Sequence, residues 1–172
     1  PLKSLTLKAA EDLETAPVLT GGIQFAAGTI PEGTEITISG LTFQGAGIYG
    51  IAWGNPAQFY NMESLTIKDN TFRSITTEAG AAVFPYGFHL NNADSAVRNL
   101  TVTGNTFIGA GGAVRDGGIN VAVCATTVIT NNTFTNMGMN GITISGKDSA
   151  GHEAVSVDIS GNIFDGWALT GD

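Results

Sequence analysis

The sequence predicts an all-β solenoid, a single domain over residues 1–172 with about five to six coils of stacked parallel strands. Three observations predict it. Charged residues are 13% of the chain, apolar residues reach 42% and glycine numbers 24, a balance suited to a packed core joined by many tight bends and unlike a disordered chain. One octet recurs five times without gaps. A shorter, glycine-led segment recurs between the octets.

The octets run Ile36–Phe43, Leu65–Phe72, Leu100–Phe107, Thr127–Phe134 and Val157–Phe164, and a degenerate sixth copy starts at Leu5-Thr-Leu7. Their phenylalanines stand 29, 35, 27 and 30 residues apart. Ile36/Ile38, Leu65/Ile67, Leu100/Val102 and Val157/Ile159 alternate with polar residues at period two, so each octet opens as a strand with one apolar face. Thr127 weakens the first inward position of the fourth copy. Ser39-Gly40, Asp69-Asn70, Gly104-Asn105, Asn131-Asn132 and Gly161-Asn162 then turn the chain, because Gly, Asn and Asp tolerate left-handed backbone. Each phenylalanine re-enters the interior after this corner.

Between the octets lie Gly50-Ile-Ala-Trp53, Gly87-Phe-His-Leu90, Gly118-Ile-Asn-Val121 and Gly141-Ile-Thr-Ile144, which read as short strands with apolar first and third residues after the glycine. Every repeat therefore holds at least two short strands. No 3.6-residue period persists, and Ala10–Glu14 is too short for a stable helix.

Stacked in register at about 4.8 Å, such repeats place like residues on like. Asn70, Asn105, Asn132 and Asn162 would form an amide ladder, which Leu41 ends in the first copy. Phe43, Phe72, Phe107, Phe134 and Phe164 would stack in a second column and supply much of the core.

These (Leu/Val/Ile)-Thr-(Ile/Val)-x-x-Asn-Thr-Phe octets, over about Leu5 to Trp167, resemble those of the right-handed parallel β-helix, or pectin-lyase-like, superfamily. The resemblance implies export, a surface location and frequent work on carbohydrate. Its catalytic strings are missing. Galacturonan hydrolases of the superfamily carry Asn-Thr-Asp, Asp-Asp, His-Gly and Arg-Ile-Lys, whereas here Asn70-Thr71 is followed by Phe72. The aspartate cluster and Arg-x-Pro-x-x-Arg context of the calcium-dependent pectate lyases are also missing. No recognisable cap flanks the repeats, so the chain is expected to be a fragment of a larger exported bacterial protein or to have its ends covered by a partner.

A site is expected where coil length varies. From the column phenylalanine to the next glycine is 7 residues for Phe43–Gly50 and Phe134–Gly141, but 15 for Phe72–Gly87 and 11 for Phe107–Gly118. Two adjacent turns thus bulge at one corner and carry Arg73, Glu78, Phe84, Pro85, Tyr86, Arg115 and Asp116. The strands beside them direct His89, Asn91, Asn120, Thr143 and Ser145 outward. Tyr86 could stack on a sugar; His89, Asn91 and Asn120 could bond its hydroxyls; Arg115 could pair with a uronate carboxylate. The same residues also fit a plain solvated face. For catalysis the candidates are Glu78 and Asp116 as paired carboxyls and His89 for proton transfer. Asp148, His152 and Glu153 read as a polar loop rather than a metal site. The outward threonines Thr37, Thr66, Thr101, Thr103 and Thr130 invite comparison with ice-binding arrays, but Lys68 and Asp158 interrupt them.

A net charge of −8 argues against a nucleic-acid partner and suits a cation or neutral glycan. No apolar run approaches the ~18 residues a membrane helix needs. The single Cys124 excludes an internal disulfide framework and a cysteine-based zinc site, and no metal or cofactor is expected. The expected function is a noncatalytic, extracellular or cell-surface scaffold or adhesin that touches polysaccharide or surface glycan, with end-to-end or edge association with the rest of a larger protein. The alternative is a polysaccharide lyase or glycoside hydrolase with its groove along the His89/Asn120 strand stack.

Overall fold

The computed structural model describes residues 4–25, 31–44, 49–53, 62–73, 86–90, 97–110, 117–121, 123–138, 140–145 and 153–166. For Gln24, Phe25, Tyr49, Ala52, Trp53 and residues 86–90 the backbone alone is described. Among these residues there is no helix, and seventeen strands form three parallel sheets.

The first sheet contains β1 (Ser4–Lys8), β4 (Thr34–Ser39), β7 (Met62–Lys68), β10 (Val97–Thr103), β13 (Thr126–Thr130) and β16 (Ser156–Ser160), in that spatial order. The second contains β2 (Val18–Leu19), β5 (Thr42–Gln44), β8 (Thr71–Arg73), β11 (Thr106–Ile108), β14 (Thr133–Thr135) and β17 (Ile163–Asp165). The third contains β3 (Ile23–Phe25), β6 (Tyr49–Trp53), β9 (Tyr86–Leu90), β12 (Gly117–Val121) and β15 (Ile142–Ile144). The chain visits the sheets in the same order each time, so every strand pairs with its counterpart one repeat away.

The registers follow the octets. Leu5, Ile36, Leu65, Leu100, Thr127 and Val157 form one column, and Leu7, Ile38, Ile67, Val102, Ile129 and Ile159 another. The core cluster draws on all three sheets, with Ile38, Leu65 and Leu100 from the first, Phe43 to Phe134 from the second, and Ile51, Ile119 and Val121 from the third. The five phenylalanines stack face to face, with centroids 4.7–4.9 Å apart and planes within 7°. That separation is the inter-strand spacing itself, so the backbone ladder sets the ring stack. The rings of Phe43, Phe72, Phe107 and Phe134 are buried, whereas Phe164, in the last strand of its sheet, is 50% exposed.

The asparagine ladder is present as the sequence predicts. The main-chain N–H groups of Leu41, Asn70, Asn105 and Asn132 donate to Oδ1 of Asn70, Asn105, Asn132 and Asn162, at 2.9–3.0 Å. The Nδ2 groups donate to the carbonyls of Ile38, Ile67, Val102 and Ile129 in the preceding repeat. Each corner thereby satisfies buried backbone groups that no sheet can reach. Leu41 closes the ladder for a simple reason. Thr42 N–H bonds to the Pro17 carbonyl, as Thr71 does to Leu41 and Thr106 to Asn70, so Pro17 occupies this column in the first repeat. Proline has no N–H to satisfy, and an apolar side chain above it suffices.

The preceding corner position is left-handed in every octet: Gly40, Asp69, Gly104, Asn131 and Gly161 have φ between 55° and 70°. Glycine alternates with Asp or Asn because the Asp69 carboxylate occupies the space over Gly104, where an added Cβ would sit 2.5 Å from Oδ1.

Two expectations need refinement. Each octet is two strands on two sheets, not one strand and a bend, so a full repeat holds three strands. The first repeat is more complete than Leu5-Thr-Leu7 suggests, since it supplies β1, β2 and β3.

Candidate functional site: the third sheet

Of the expected binding residues, Tyr86, His89 and Asn120 belong to strands of the third sheet, Arg115 to a segment that leads into it, and Asn91 directly follows β9 in sequence. The long segments lie between β8 and β9 and between β11 and β12, leaving the second sheet and entering the third. Glu78, Phe84, Pro85, Asn91, Arg115 and Asp116 lie outside the described residues, as do Asp148 and His152. The backbone of β9 is described, and its register sets Tyr86 opposite Tyr49 and Gly117, and His89 opposite Ala52 and Asn120. Asn120 is in turn opposite Thr143. His89, Asn120 and Thr143 therefore share one column, about 4.8 Å apart from strand to strand.

The side chains flanking this column fix its face. Ile119 and Val121 are fully buried in the core, so Asn120 between them lies on the opposite face by strand alternation. It was expected to present its amide to solvent. It is instead 7% exposed, and every residue of β12 is buried. Both faces of β12 are thus covered, and Asn120 is not an open hydroxyl-binding group. One repeat further, Thr143 is half-buried and its hydroxyl accepts a hydrogen bond from Asn140 Nδ2 at 3.1 Å. Ser145 is exposed, and its N–H donates to the Val121 carbonyl.

Close packing makes the start of β12 sequence-specific. A Cβ on Gly118 would lie 2.5 Å from the Gly141 carbonyl oxygen and 2.5 Å from Cε1 of Phe134. The glycine that leads each member of this strand series is here a packing requirement: the phenylalanine of the next repeat lies against it.

Charged groups are dispersed over the other two sheets. Arg98 Nε lies 3.4 Å from Glu63 Oε2, and Asn99 Nδ2 donates to both the carbonyl and Oε1 of Glu63 at 3.0 Å. Lys8 and Glu11 form an exposed pair at 2.8 Å, of a kind that contributes little stability. Among the described residues, no group of three or more His, Cys, Asp or Glu side chains could hold a metal ion, and no helix is long and apolar enough to cross a membrane. The threonine array is interrupted: the column Thr37, Thr66, Thr101 continues into Val128, which was not expected, and Asp158, which was, while Lys68 stands in the adjacent column between Ser39 and Thr103.

The sequence reading overlooked a cavity at the end of the third sheet. About 370 Å³ in volume, it is lined by Asn140, Gly141, Ile142, Ile144, Ile159 and Phe164.

Comparison of the chain with protein-family models, with curated proteins and with solved structures finds no match.

Proposed function

We propose that the three parallel sheets wrap as a right-handed parallel β-helix of about five to six coils, and that this helix is a noncatalytic scaffold or adhesin of an exported bacterial protein that touches glycan along its third sheet. The observation that carries this reading is that both long segments, Phe72–Gly87 and Phe107–Gly118, lead into the third sheet and carry Tyr86, Arg115 and Asp116 in sequence, close to His89 of β9. Polar, aromatic and cationic side chains together are what recognition of a sugar requires. The scaffold role draws support from the asparagine and phenylalanine columns, which tie every repeat to its neighbours.

A glycan array probed with the purified protein tests this. The expected result is binding to polysaccharide or uronate-bearing probes, at least tenfold weaker for Tyr86→Ala and Arg115→Ala, with no new reducing or unsaturated ends released. Cleavage of any polysaccharide that is lost in Asp116→Ala would replace this reading with that of a lyase or hydrolase.

A further inference from the structure

Of the chain's asparagines, only Asn140 is followed by a glycine. The glycine matters because it has no side chain to shield its own main-chain nitrogen. Asn140 and Gly141 lead into β15, with Asn140 exposed and Gly141 buried. Asn140 Nδ2 donates to Oγ1 of Thr143 at 3.1 Å, three residues downstream. That bond turns the side chain forward over the chain that follows it, the side on which the Gly141 nitrogen lies. Other described asparagines are held differently. Asn70, Asn105 and Asn132 are buried, and their amides are engaged at both oxygen and nitrogen. Asn99 Nδ2 donates twice to Glu63. Asn131 and Asn136 are exposed, but Asn132 and Met137 follow them and carry side chains.

We propose that Asn140-Gly141 is a site of spontaneous covalent modification, with water as the reagent, which converts Asn140 into aspartate and isoaspartate. The Gly141 nitrogen bonds to Cγ of Asn140 and closes a five-membered imide. The Cγ–Nδ2 bond breaks, and Nδ2 leaves as ammonia with the proton that the Gly141 nitrogen gives up through solvent. Water then opens the ring. Attack at Cγ breaks the new Cγ–N bond and gives aspartate with an ordinary main chain. Attack at the Asn140 main-chain carbonyl carbon breaks the original peptide bond instead. The chain then runs through Cβ and Cγ, and the former peptide carbonyl becomes a free carboxylate. Nothing is oxidised or reduced in either step.

The place of Asn140 in the fold gives the isoaspartate a structural effect. The Asn140 carbonyl accepts from the Gly118 N–H at 3.1 Å, and the Gly141 carbonyl from the Ile119 N–H at 2.8 Å. These two bonds begin the pairing of β12 with β15, which continues through Ile119 with Ile142 and Val121 with Ile144. In isoaspartate the first acceptor becomes a carboxylate on a side branch, and a methylene enters the main chain ahead of the second. Gly118 leaves no slack for that displacement, because even a Cβ added to it would lie 2.5 Å from the Gly141 carbonyl oxygen. Isoaspartate at 140 therefore unpairs β15 from β12. Ordinary aspartate keeps both acceptors and adds only a negative charge at an exposed position. The inference is independent of glycan binding, so a negative glycan array leaves it standing.

The test is to age the intact, folded protein in neutral and in mildly alkaline buffer, and to follow charge by isoelectric focusing and position by peptide mapping. A gain of one negative charge is expected, mapping to aspartate and isoaspartate at position 140, at least tenfold faster than at any other asparagine and faster at the higher pH. Charge gain separates this site from Asp165-Gly166, where isomerisation through the same ring leaves the charge unchanged. Asn140→Gln, whose ring would need a sixth member, should slow the gain at least tenfold. The isoaspartyl form, isolated by ion exchange, should lose at least tenfold in amide protection at Gly118, Ile119 and Ile142, whereas the Asn140→Asp protein should keep it. A first charge gain at another asparagine, an unchanged rate in Asn140→Gln, or conversion at 140 only after unfolding would overturn the proposal. So would an isoaspartyl form whose protection in β12 and β15 equals that of the starting protein.

Discussion

Thr127 occupies a column in which Ile36, Leu65, Leu100 and Val157 are its aliphatic counterparts. It is 1% exposed, and its hydroxyl has no hydrogen-bond partner. A buried unpaired hydroxyl costs on the order of 1–3 kcal/mol, and valine has nearly the same shape. Thr127→Val should therefore raise stability by about 1 kcal/mol, about 2–4 °C in Tm, measurable by thermal denaturation. Asn105 is the opposite case. Its Oδ1 accepts from both N–H and Nδ2 of Asn70, and its Nδ2 donates to the Ile67 carbonyl. Asn105→Ala removes the partner of the Asn70 N–H and of the Ile67 carbonyl, both in the preceding repeat, and should cost at least about 2 kcal/mol in denaturant unfolding. At this scale the sequence was informative wherever position in the octet settles the environment. The asparagine and phenylalanine columns are legible because the octets align without gaps. The burial of Asn120 was not, since alternation tells which face a residue is on but not whether that face is covered.

At the scale of the element, the corner inside each octet decides the architecture. Inward positions run 1, 3, 6 and 8, as Ile36, Ile38, Leu41 and Phe43 show, and the jump from 3 to 6 is where the chain passes from the first sheet to the second. Period-two reasoning sees two apolar pairs but assigns them to one strand and a bend, because a left-handed corner residue re-aims the chain without changing its polarity pattern. Gly104 has φ of 66° and faces the Asp69 carboxylate, so Gly104→Ala should destabilise by about 1–2 kcal/mol from the backbone conformation alone. Gly118 is more sensitive, because its clash is with a main-chain carbonyl and the ring of Phe134. Gly118→Ala should cost about 3 kcal/mol and break the pairing of β12 with β15, seen as loss of amide protection in both strands. The strand carrying Gly118 was legible from its glycine-led pattern. The reason for the glycine was not, because the ring that excludes a side chain comes from 16 residues later, in the next repeat.

Across the whole molecule, stability should vary along the stack, since each repeat contacts only its neighbours. Central strands are sealed on both edges: Leu100, Val102 and Phe107 are at most 1% exposed. Terminal ones are not: Leu5 is 47% and Val157 45% exposed, although they belong to the same column as Leu100. Hydrogen exchange should accordingly be slowest in β10 and β11 and fastest in β1 and β16. The all-β class and the parallel stacking were legible because repetition at about 30 residues constrains the whole chain at once. The hollow lined by Ile142, Ile144, Ile159 and Phe164 was not, because it depends on how strands of different sheets meet rather than on any local pattern.

The central claim is that backbone layers lie in register, one repeat above the next, tied by corner amides. The most direct measurement is the scalar coupling transmitted across a hydrogen bond, between the main-chain nitrogen of one ladder residue and the side-chain carbonyl carbon of the next. The couplings predicted are from Leu41 to Asn70, Asn70 to Asn105, Asn105 to Asn132 and Asn132 to Asn162. Their detection in that order would bear the account out, and their absence alongside well-resolved amide signals, or couplings that join other pairs, would contradict it.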